Sequence, residues 1–291
     1  MTSEKLLVNV EREKKKALKT LNFRLLEEIC LLPEFQKLPY AQKNFHFMTS
    51  SKISMYEDCP LAYRYKYVDM IPDPTEDADY FVIGRAFDVL MTSGEQAFNE
   101  QFEVVARKDQ KAKDAIAGTG KDLINQTEFK KILQMRHEFL EQELYNHKPV
   151  KRVFFWAYAG FVIKVELDDF EEAKHVINDL KTCENVLTVD PGFHAQQFSL
   201  YHLVVEENLQ IRCTVRAEFV DKYTHFSRSR PVEYTQPTLL SKRPRLLDLL
   251  DRLKRDHEQD FFARTRDQKT AYSMFCYGYE GYGRPTAYEL Y

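Results

Sequence analysis

The chain lacks the patterns that mark metal–sulfur, disulfide-bonded or membrane proteins. Its five cysteines are scattered, and no pair has the C-x-x-C spacing of a zinc site, which also argues against a disulfide framework and for a reducing compartment. No apolar run approaches the roughly 18 residues of a membrane span, and the N-terminal stretch is rich in lysine and glutamate. We therefore expect a cytoplasmic protein with no membrane association.

A basic excess is also missing, because the net charge is −3. Any nucleic-acid contact must then be a local patch rather than a property of the whole surface. The composition is that of a folded protein, and there is no internal repeat or low-complexity linker. We predict a helical N-terminal extension over residues 1–45, a core over 46–225, and a C-terminal extension over 226–291 that packs on the core.

Helical and strand patterns alternate along the chain. A helix is predicted over Glu4–Leu32, a helix pair is predicted on either side of Cys59-Pro60, and an apolar helix is predicted over Tyr80–Met91. A long charged helix is predicted from Lys121 to His147. An antiparallel meander is predicted from Val150 to Lys181, followed by further helix and strand patterns.

The tripeptide Asp179-Leu180-Lys181 is the most informative local feature. Side chains two residues apart in a strand point to the same side, so Asp179 and Lys181 share a face. Asp168 ends another period-two run eleven residues upstream, with Asp169 as a competing candidate and Glu166 on the same face. An exposed ion pair between Asp179 and Lys181 is the alternative interpretation.

This arrangement suits phosphodiester hydrolysis. The reaction needs charge neutralisation around the phosphate and a water made nucleophilic, and carboxylates that hold a hard divalent cation supply both. A nearby lysine can orient the water or stabilise developing negative charge. An all-oxygen site of this kind favours Mg²⁺ or Mn²⁺ over zinc.

The ordered set of local motifs resembles the PD-(D/E)xK nuclease superfamily, and within it the RecB-like and especially RecE-like exonucleases. Five segments from about 50 to 220 carry the resemblance: Ser51–Tyr63, Gly84-Arg85-Ala86-Phe87-Asp88, Leu167-Asp168, Asp179–Thr182 and Gln197–Tyr201. The resemblance implies an α/β restriction-endonuclease-like core, in which a central mixed β-sheet is flanked by helices, with helical N- and C-terminal extensions.

The resemblance also assigns roles to individual residues. It implies catalysis by Asp168, Asp179 and Lys181 and metal binding by Asp88, Asp168 and Asp179. It further implies DNA contacts from six side chains: Ser51, Tyr63, Arg64, Arg85, Gln197 and Tyr201. For the tyrosine-rich helix around Tyr63 and Arg64, the alternative is that the pattern belongs to a half-buried helix.

The implied activity is a divalent-metal-dependent exonuclease that acts on DNA, at duplex ends or on single strands, in phage-type recombination. The implied partners are a single-strand annealing protein and further copies of the chain in a ring-shaped homo-oligomer. No iron–sulfur cluster is expected, because the clustered cysteines of some relatives are missing. The chain departs from the family at Asp88, where a histidine is usual. A DNA-binding scaffold that has lost turnover therefore stays as the alternative function.

Overall fold

The described part of the chain is built from helices with three small sheets. The structure is a computed structural model that describes residues 3–36, 38, 40–71, 79–141, 149, 151–222 and 229–262. The helices are α1 (Ser3–Thr20), α2 (Arg24–Cys30), α3 (Pro33–Gln36), α4 (Tyr40–Asn44), α5 (Ser50–Asp58), α6 (Pro60–Tyr67), α7 (Asp79–Thr92), α8 (Gly94–Gln101), α9 (Gln110–Ile116), α10 (Gln126–Glu141), α11 (Ala195–Leu209) and α12 (Gln236–Gln259). The strands are β1 (Phe102–Val105), β2 (Asp122–Asn125), β3 (Arg152–Tyr158), β4 (Phe161–Leu167), β5 (Asp169–Glu171), β6 (Val176–Cys183), β7 (Thr214–Asp221) and β8 (Ser229–Tyr234). Within these ranges, no helix is long and apolar enough to cross a membrane.

The largest sheet has four strands in the order β5-β6-β7-β8 and is mixed. Strands β6 and β7 run parallel, with Asp179 opposite Ala217 and Lys181 opposite Phe219, and the two outer pairs are antiparallel. Parallel neighbours need a crossover connection, which α11 supplies between β6 and β7. The predicted α/β architecture, a mixed sheet flanked by helices, is confirmed.

Helices cover both faces of this sheet. Ile177 and Phe219 belong to the core cluster that contains Phe198 of α11, whereas Val220 belongs to the cluster that contains Phe87 of α7. Leu180 packs against the α7 cluster as well. Strand alternation therefore directs odd-numbered residues of β6 towards α11 and even-numbered residues towards α7.

The predicted meander from Val150 to Lys181 is wrong as a single sheet. Among the strands of the described residues, β3 and β4 pair with each other, with one isolated bridge from Met48 to Ile163 of β4, and β5 then pairs with β6. The reason lies at Asp168, where the chain bends between β4 and β5. Its Oδ2 accepts a hydrogen bond from the backbone N–H of Leu180 at 3.1 Å. At this point of β6, the Asp168 side chain takes the hydrogen bond that a neighbouring strand would otherwise accept.

Two predicted helices also need correction. The helix predicted over Glu4–Leu32 is interrupted after α1, because Leu21 takes a left-handed conformation with φ of 52°. The helix predicted from Lys121 begins as strand β2 instead. Asn125 and Glu128 then form reciprocal hydrogen bonds between side chains and backbone N–H groups, which start α10 at the next residue. Residues 142–147, the predicted end of that helix, lie outside the described residues.

The polypeptide beyond residue 225 contributes to the sheet and the core. Strand β8 pairs with β7, and Leu239, Leu246 and Leu250 of α12 are buried in the cluster that contains α11. The boundaries at 45 and 225 stay a prediction. Residues 226–228 and 263–291 of the C-terminal extension lie outside the described residues.

Candidate active site

Asp179 and Lys181 form a buried ion pair on the α11 side of β6. Asp179 Oδ2 lies 2.5 Å from Lys181 Nζ, and the Asp179 side chain is 2% exposed. The Lys181 ammonium group also lies 5.7 Å from the centre of the Phe198 ring. The pair is therefore not the exposed ion pair of the alternative interpretation, and both groups are held in an environment of low polarity.

Asp168 adds a second acid at the bend between β4 and β5. Its hydrogen bond to the Leu180 N–H ties it to the strand segment between Asp179 and Lys181. The Asp168 charge acts on both members of that pair, because it raises the pKa of each. Asp169, the competing candidate, instead accepts a hydrogen bond from the Asn178 side chain at 2.8 Å.

Asp88 reaches the same region from α7. Its Oδ1 atom is buried, with no hydrogen-bond partner among the described residues. Burial first, and then the charge on Asp168, raise the pKa of the Asp88 carboxyl to about 7. A buried polar atom without a hydrogen-bond partner lowers the stability of a folded protein. Asp88 therefore destabilises the fold that contains it.

The electrostatic balance of the group is negative. Burial raises the pKa of Asp179 to about 6, with Lys181 opposing the rise and Asp168 adding to it. Burial alone would lower the pKa of Lys181, but the charges on Asp179, Asp168 and Asp88 raise it, so the ammonium form persists. Three acids and one lysine leave an excess of negative charge that favours a bound cation.

Gly84 explains how α7 comes close enough to bring Asp88 to β6. A Cβ atom at position 84 would lie 3.1 Å from Thr182 Oγ1, a distance that real Cβ atoms rarely show. Thr182 follows Lys181 in β6 and points to the α7 face. Glycine at position 84 thus permits the close helix–strand contact, and Asp88 lies one helical turn further along α7.

We expect Gly84→Val to destabilise the protein by about 2 kcal/mol, because the added methyl groups overpack this contact. Thr182→Ala removes the facing Oγ1, so the double variant should recover about 1 kcal/mol of the loss. Urea unfolding of both single variants and the double variant measures this coupling. Strictly additive effects would show that the residues at 84 and 182 do not press on each other.

Helix α11 borders the ion pair with polar and aromatic side chains. Gln197 Nε2 donates a hydrogen bond to the Tyr201 hydroxyl at 2.6 Å, as the i, i+4 spacing allows. His194, at the end of the preceding 3-10 helix, packs against Phe198 and Phe219. Burial first, and then the Lys181 charge, lower the pKa of His194 to about 4, so its imidazole is neutral beside the ion pair.

A sequence profile described as the PD-(D/E)XK nuclease superfamily matches residues 48–278, which include every acid of this group. The chain belongs to the PD-(D/E)XK nuclease superfamily. No curated protein matches it.

Solved structures agree with the fold of this nuclease family. The crystal structure of a "Putative exonuclease" from Eubacterium rectale is similar with a TM-score of 0.62 and 14% identity, over 90% of this chain and 96% of that one. At that identity the likeness shows the restriction-endonuclease-like fold alone. The crystal structure of SSO0001 has a TM-score of 0.35 and 13% identity, over 77% of this chain and 83% of that one, and carries no argument.

Nucleases of this superfamily generally use divalent metals, and the donor chemistry of the site fits one. Asp88, Asp168 and Asp179 offer only carboxylate oxygens, which suit hard cations, and Asp88 Oδ1 is buried without a partner. Within the described residues, no three His, Cys, Asp or Glu side chains are arranged so that they could hold a metal ion. Asp168 accepts a hydrogen bond from the Leu180 N–H, and Asp179 is paired with Lys181, so both carboxylates already have a partner in the protein itself.

Tyr63 and Arg64, two of the DNA-contact residues predicted for this nuclease, are buried against partners at the end of α12. Tyr63 is 3% exposed, and its hydroxyl lies 3.0 Å from His257 Nε2. Arg64 is 8% exposed and donates to Asp260 Oδ1 at 2.9 Å. The structure therefore places Tyr63 and Arg64 between α6 and the end of α12, as the half-buried alternative describes, and does not bring them to the acids.

Ser51 and Arg85 lie elsewhere on the surface of the core. Ser51 is half-buried in the first turn of α5. Arg85, on α7, donates to Asp122 Oδ2 at 2.9 Å, and 39% of its side chain is exposed. Of the six predicted DNA contacts, only Gln197 and Tyr201 share a helix with residues that touch the ion pair.

Sequence reasoning missed the contacts of two residues near the acids of this nuclease. The sequence pattern places Glu166 only on the face of Asp168, and Lys151 lies outside every predicted motif. Glu166 is instead paired with Lys164 and Lys151, at 3.1 Å and 3.5 Å. The available signal was the hairpin of β3 and β4, because its pairing aligns residues near 151 with residues near 168.

Proposed function

We propose that the chain is a metal-dependent DNA exonuclease of the RecB-like or RecE-like type, which hydrolyses phosphodiester bonds of linear DNA in phage-type recombination, replication or repair. The observation that carries this proposal is the buried Asp179–Lys181 pair beside Asp168 and Asp88. Family membership supports nuclease chemistry. The Eubacterium rectale protein of the same fold bears the name "Putative exonuclease", which is consistent with action on ends.

Each residue has a defined task in this proposal. Asp88, Asp168 and Asp179 would hold Mg²⁺ or Mn²⁺, which supplies Lewis acidity and lowers the pKa of bound water. Lys181 directs a proton of its ammonium group at the attacking water and stabilises the negative charge that develops on the phosphate. Lys181 is buried against Asp179 and Phe198, so its charge acts in a medium of low polarity. Its electrostatic interaction with a phosphate is therefore stronger than it would be in water.

Gln197 and Tyr201 have a supporting task in the same proposal. Their mutual hydrogen bond fixes both side chains on the helix that covers Lys181. A pair that is already ordered loses little side-chain entropy when it contacts a DNA strand. We assign this pair to strand positioning rather than to the chemical step.

The expected result with purified protein is degradation of linear DNA in Mg²⁺ or Mn²⁺ and survival of covalently closed circles. An exonuclease needs an end, so linearising the same plasmid with a restriction enzyme supplies the matched substrate. Product release from DNA labelled at the 5′ or the 3′ end, followed on denaturing gels, gives the polarity.

Other outcomes assign other functions. Digestion of closed circles shows an endonuclease. DNA binding without cleavage in either metal shows the non-catalytic scaffold, for which Asp88 in place of the usual histidine is the supporting observation. A single-strand annealing partner and a ring-shaped homo-oligomer rest on the family resemblance, and sedimentation of the protein with and without DNA tests the oligomer.

A further inference from the structure

We infer that Lys151 is a second cation of the active site and binds a phosphate of the DNA strand next to the acids. This inference rests on the proposed function. It begins from the hairpin of β3 and β4, in which Arg152 pairs with Leu167 and Val153 pairs with Glu166. Lys151 and Asp168 are the next residues beyond this register, and Lys151 Nζ lies 3.5 Å from Glu166. Lys151 therefore lies at the end of the hairpin, where the charges of Glu166 and Asp168 both act on it.

The contacts of Glu166 fix the direction of Lys151. Glu166 Oε1 lies 3.5 Å from Lys151 Nζ, and Glu166 Oε2 lies 3.1 Å from Lys164 Nζ. Lys164 is itself immobilised, since its side chain is 1% exposed, bonds to Asn44 Oδ1 at 3.2 Å and lies 5.4 Å from the Phe35 ring centre. Lys164 thus fixes Glu166 through Oε2, and Glu166 in turn orients Lys151 through Oε1.

Lys151 is less tightly paired than Lys181. Lys181 Nζ lies 2.5 Å from Asp179, whereas Lys151 Nζ lies 3.5 Å from Glu166, an acid that Lys151 shares with Lys164. Lys164 is buried, so Lys151, whose side chain is 28% exposed, is the lysine of this pair that a phosphate can reach. Burial would lower the pKa of Lys151, but Asp88, Glu166 and Asp168 raise it, and the group stays charged.

A cation in this position would reduce the repulsion between the DNA phosphates and the acids of the site. DNA carries one negative charge per nucleotide and must approach three acids, which repel it. Lys151 offers a partly exposed ammonium group close enough to Asp88 and Asp168 for their charges to act on it. A lysine binds phosphate as a point charge and requires no fixed geometry of the strand.

Binding should be measured in EDTA on the Asp179→Asn background, so that affinity does not depend on hydrolysis. Adding Lys151→Gln should weaken binding of linear DNA about 5- to 10-fold and reduce the slope of log K against log salt by about 0.7–0.9, the value for one lost phosphate contact. Lys151→Arg should keep the slope. Lys174→Gln is the matched control, because Lys174 pairs with Glu171 at 2.6 Å on an exposed turn.

An unchanged salt slope for the Lys151→Gln variant, whatever happens to its melting temperature or kcat, overturns the phosphate assignment and leaves the nuclease proposal standing. A wild-type protein that neither binds nor cleaves linear DNA removes the proposed function and this inference together. Circular dichroism and the Lys151→Arg variant separate loss of folding from loss of the contact.

Discussion

Replacing Lys181 with glutamine should reduce the rate of linear-DNA hydrolysis by about 10³-fold, the effect of removing one preorganised donor from a developing negative charge. Glutamine keeps an N–H donor for Asp179, on a side chain one bond shorter than that of lysine, but carries no charge. The loss should therefore appear in kcat more than in KM, since Lys181 acts on charge that develops in the transition state. Single-turnover degradation of end-labelled duplex measures this rate.

Asp179→Asn should produce a similar loss, and the double variant should be little worse than either single variant. Residues that act as one unit are non-additive in this way. Lys174→Gln, on an exposed turn, should retain full activity and shows that loss of a surface lysine is harmless. If Lys181→Gln cleaved DNA at the wild-type rate, the ion pair would be structural and its assignment to catalysis would be wrong.

The sequence was sufficient to place the Asp179–Lys181 pair, because period-two alternation in a strand is a local property. It was also sufficient for the helix that carries Asp88 and for the helix that carries Gln197. In each case the spacing of two or four residues determines which side chains share a face. Membership of the superfamily, now shown by the profile match, was predicted from the order of these local pieces.

What the sequence could not supply were contacts between distant segments. The segment Tyr63-Arg64-Tyr65-Lys66-Tyr67 alternates tyrosines with cations, a pattern that fits both a DNA-facing helix and a half-buried one. The choice is made by His257 and Asp260, which lie 194 and 196 residues further along the chain. Similarly, Glu166 on an alternating strand predicts a surface acid, and only the packing of Lys164 into the core turns it into a partner for Lys151.

Asp88 should be the residue at which activity and stability move in opposite directions. At pH 8, above its raised pKa of about 7, the buried carboxylate is mostly ionised and opposes folding. Asp88→Asn removes that charge without changing the shape of the side chain. We expect unfolding in EDTA to cost about 1–3 kcal/mol more for this variant, with hydrolysis roughly 10²-fold slower because a neutral amide replaces a charged carboxylate ligand.

A stabilised but inactive variant is the signature of a residue kept for function at the expense of the fold. Asp114→Asn is the matched control, because Asp114 is exposed on α9 and its change should leave both stability and activity unaltered. Asp88→His introduces the residue that is usual in the family, and imidazole is a softer ligand than carboxylate. This variant should keep more activity in Mn²⁺ than in Mg²⁺. If Asp88→Asn instead destabilised the protein and left hydrolysis intact, Asp88 would be a structural acid of α7. Asp88 would then not be one of the metal ligands.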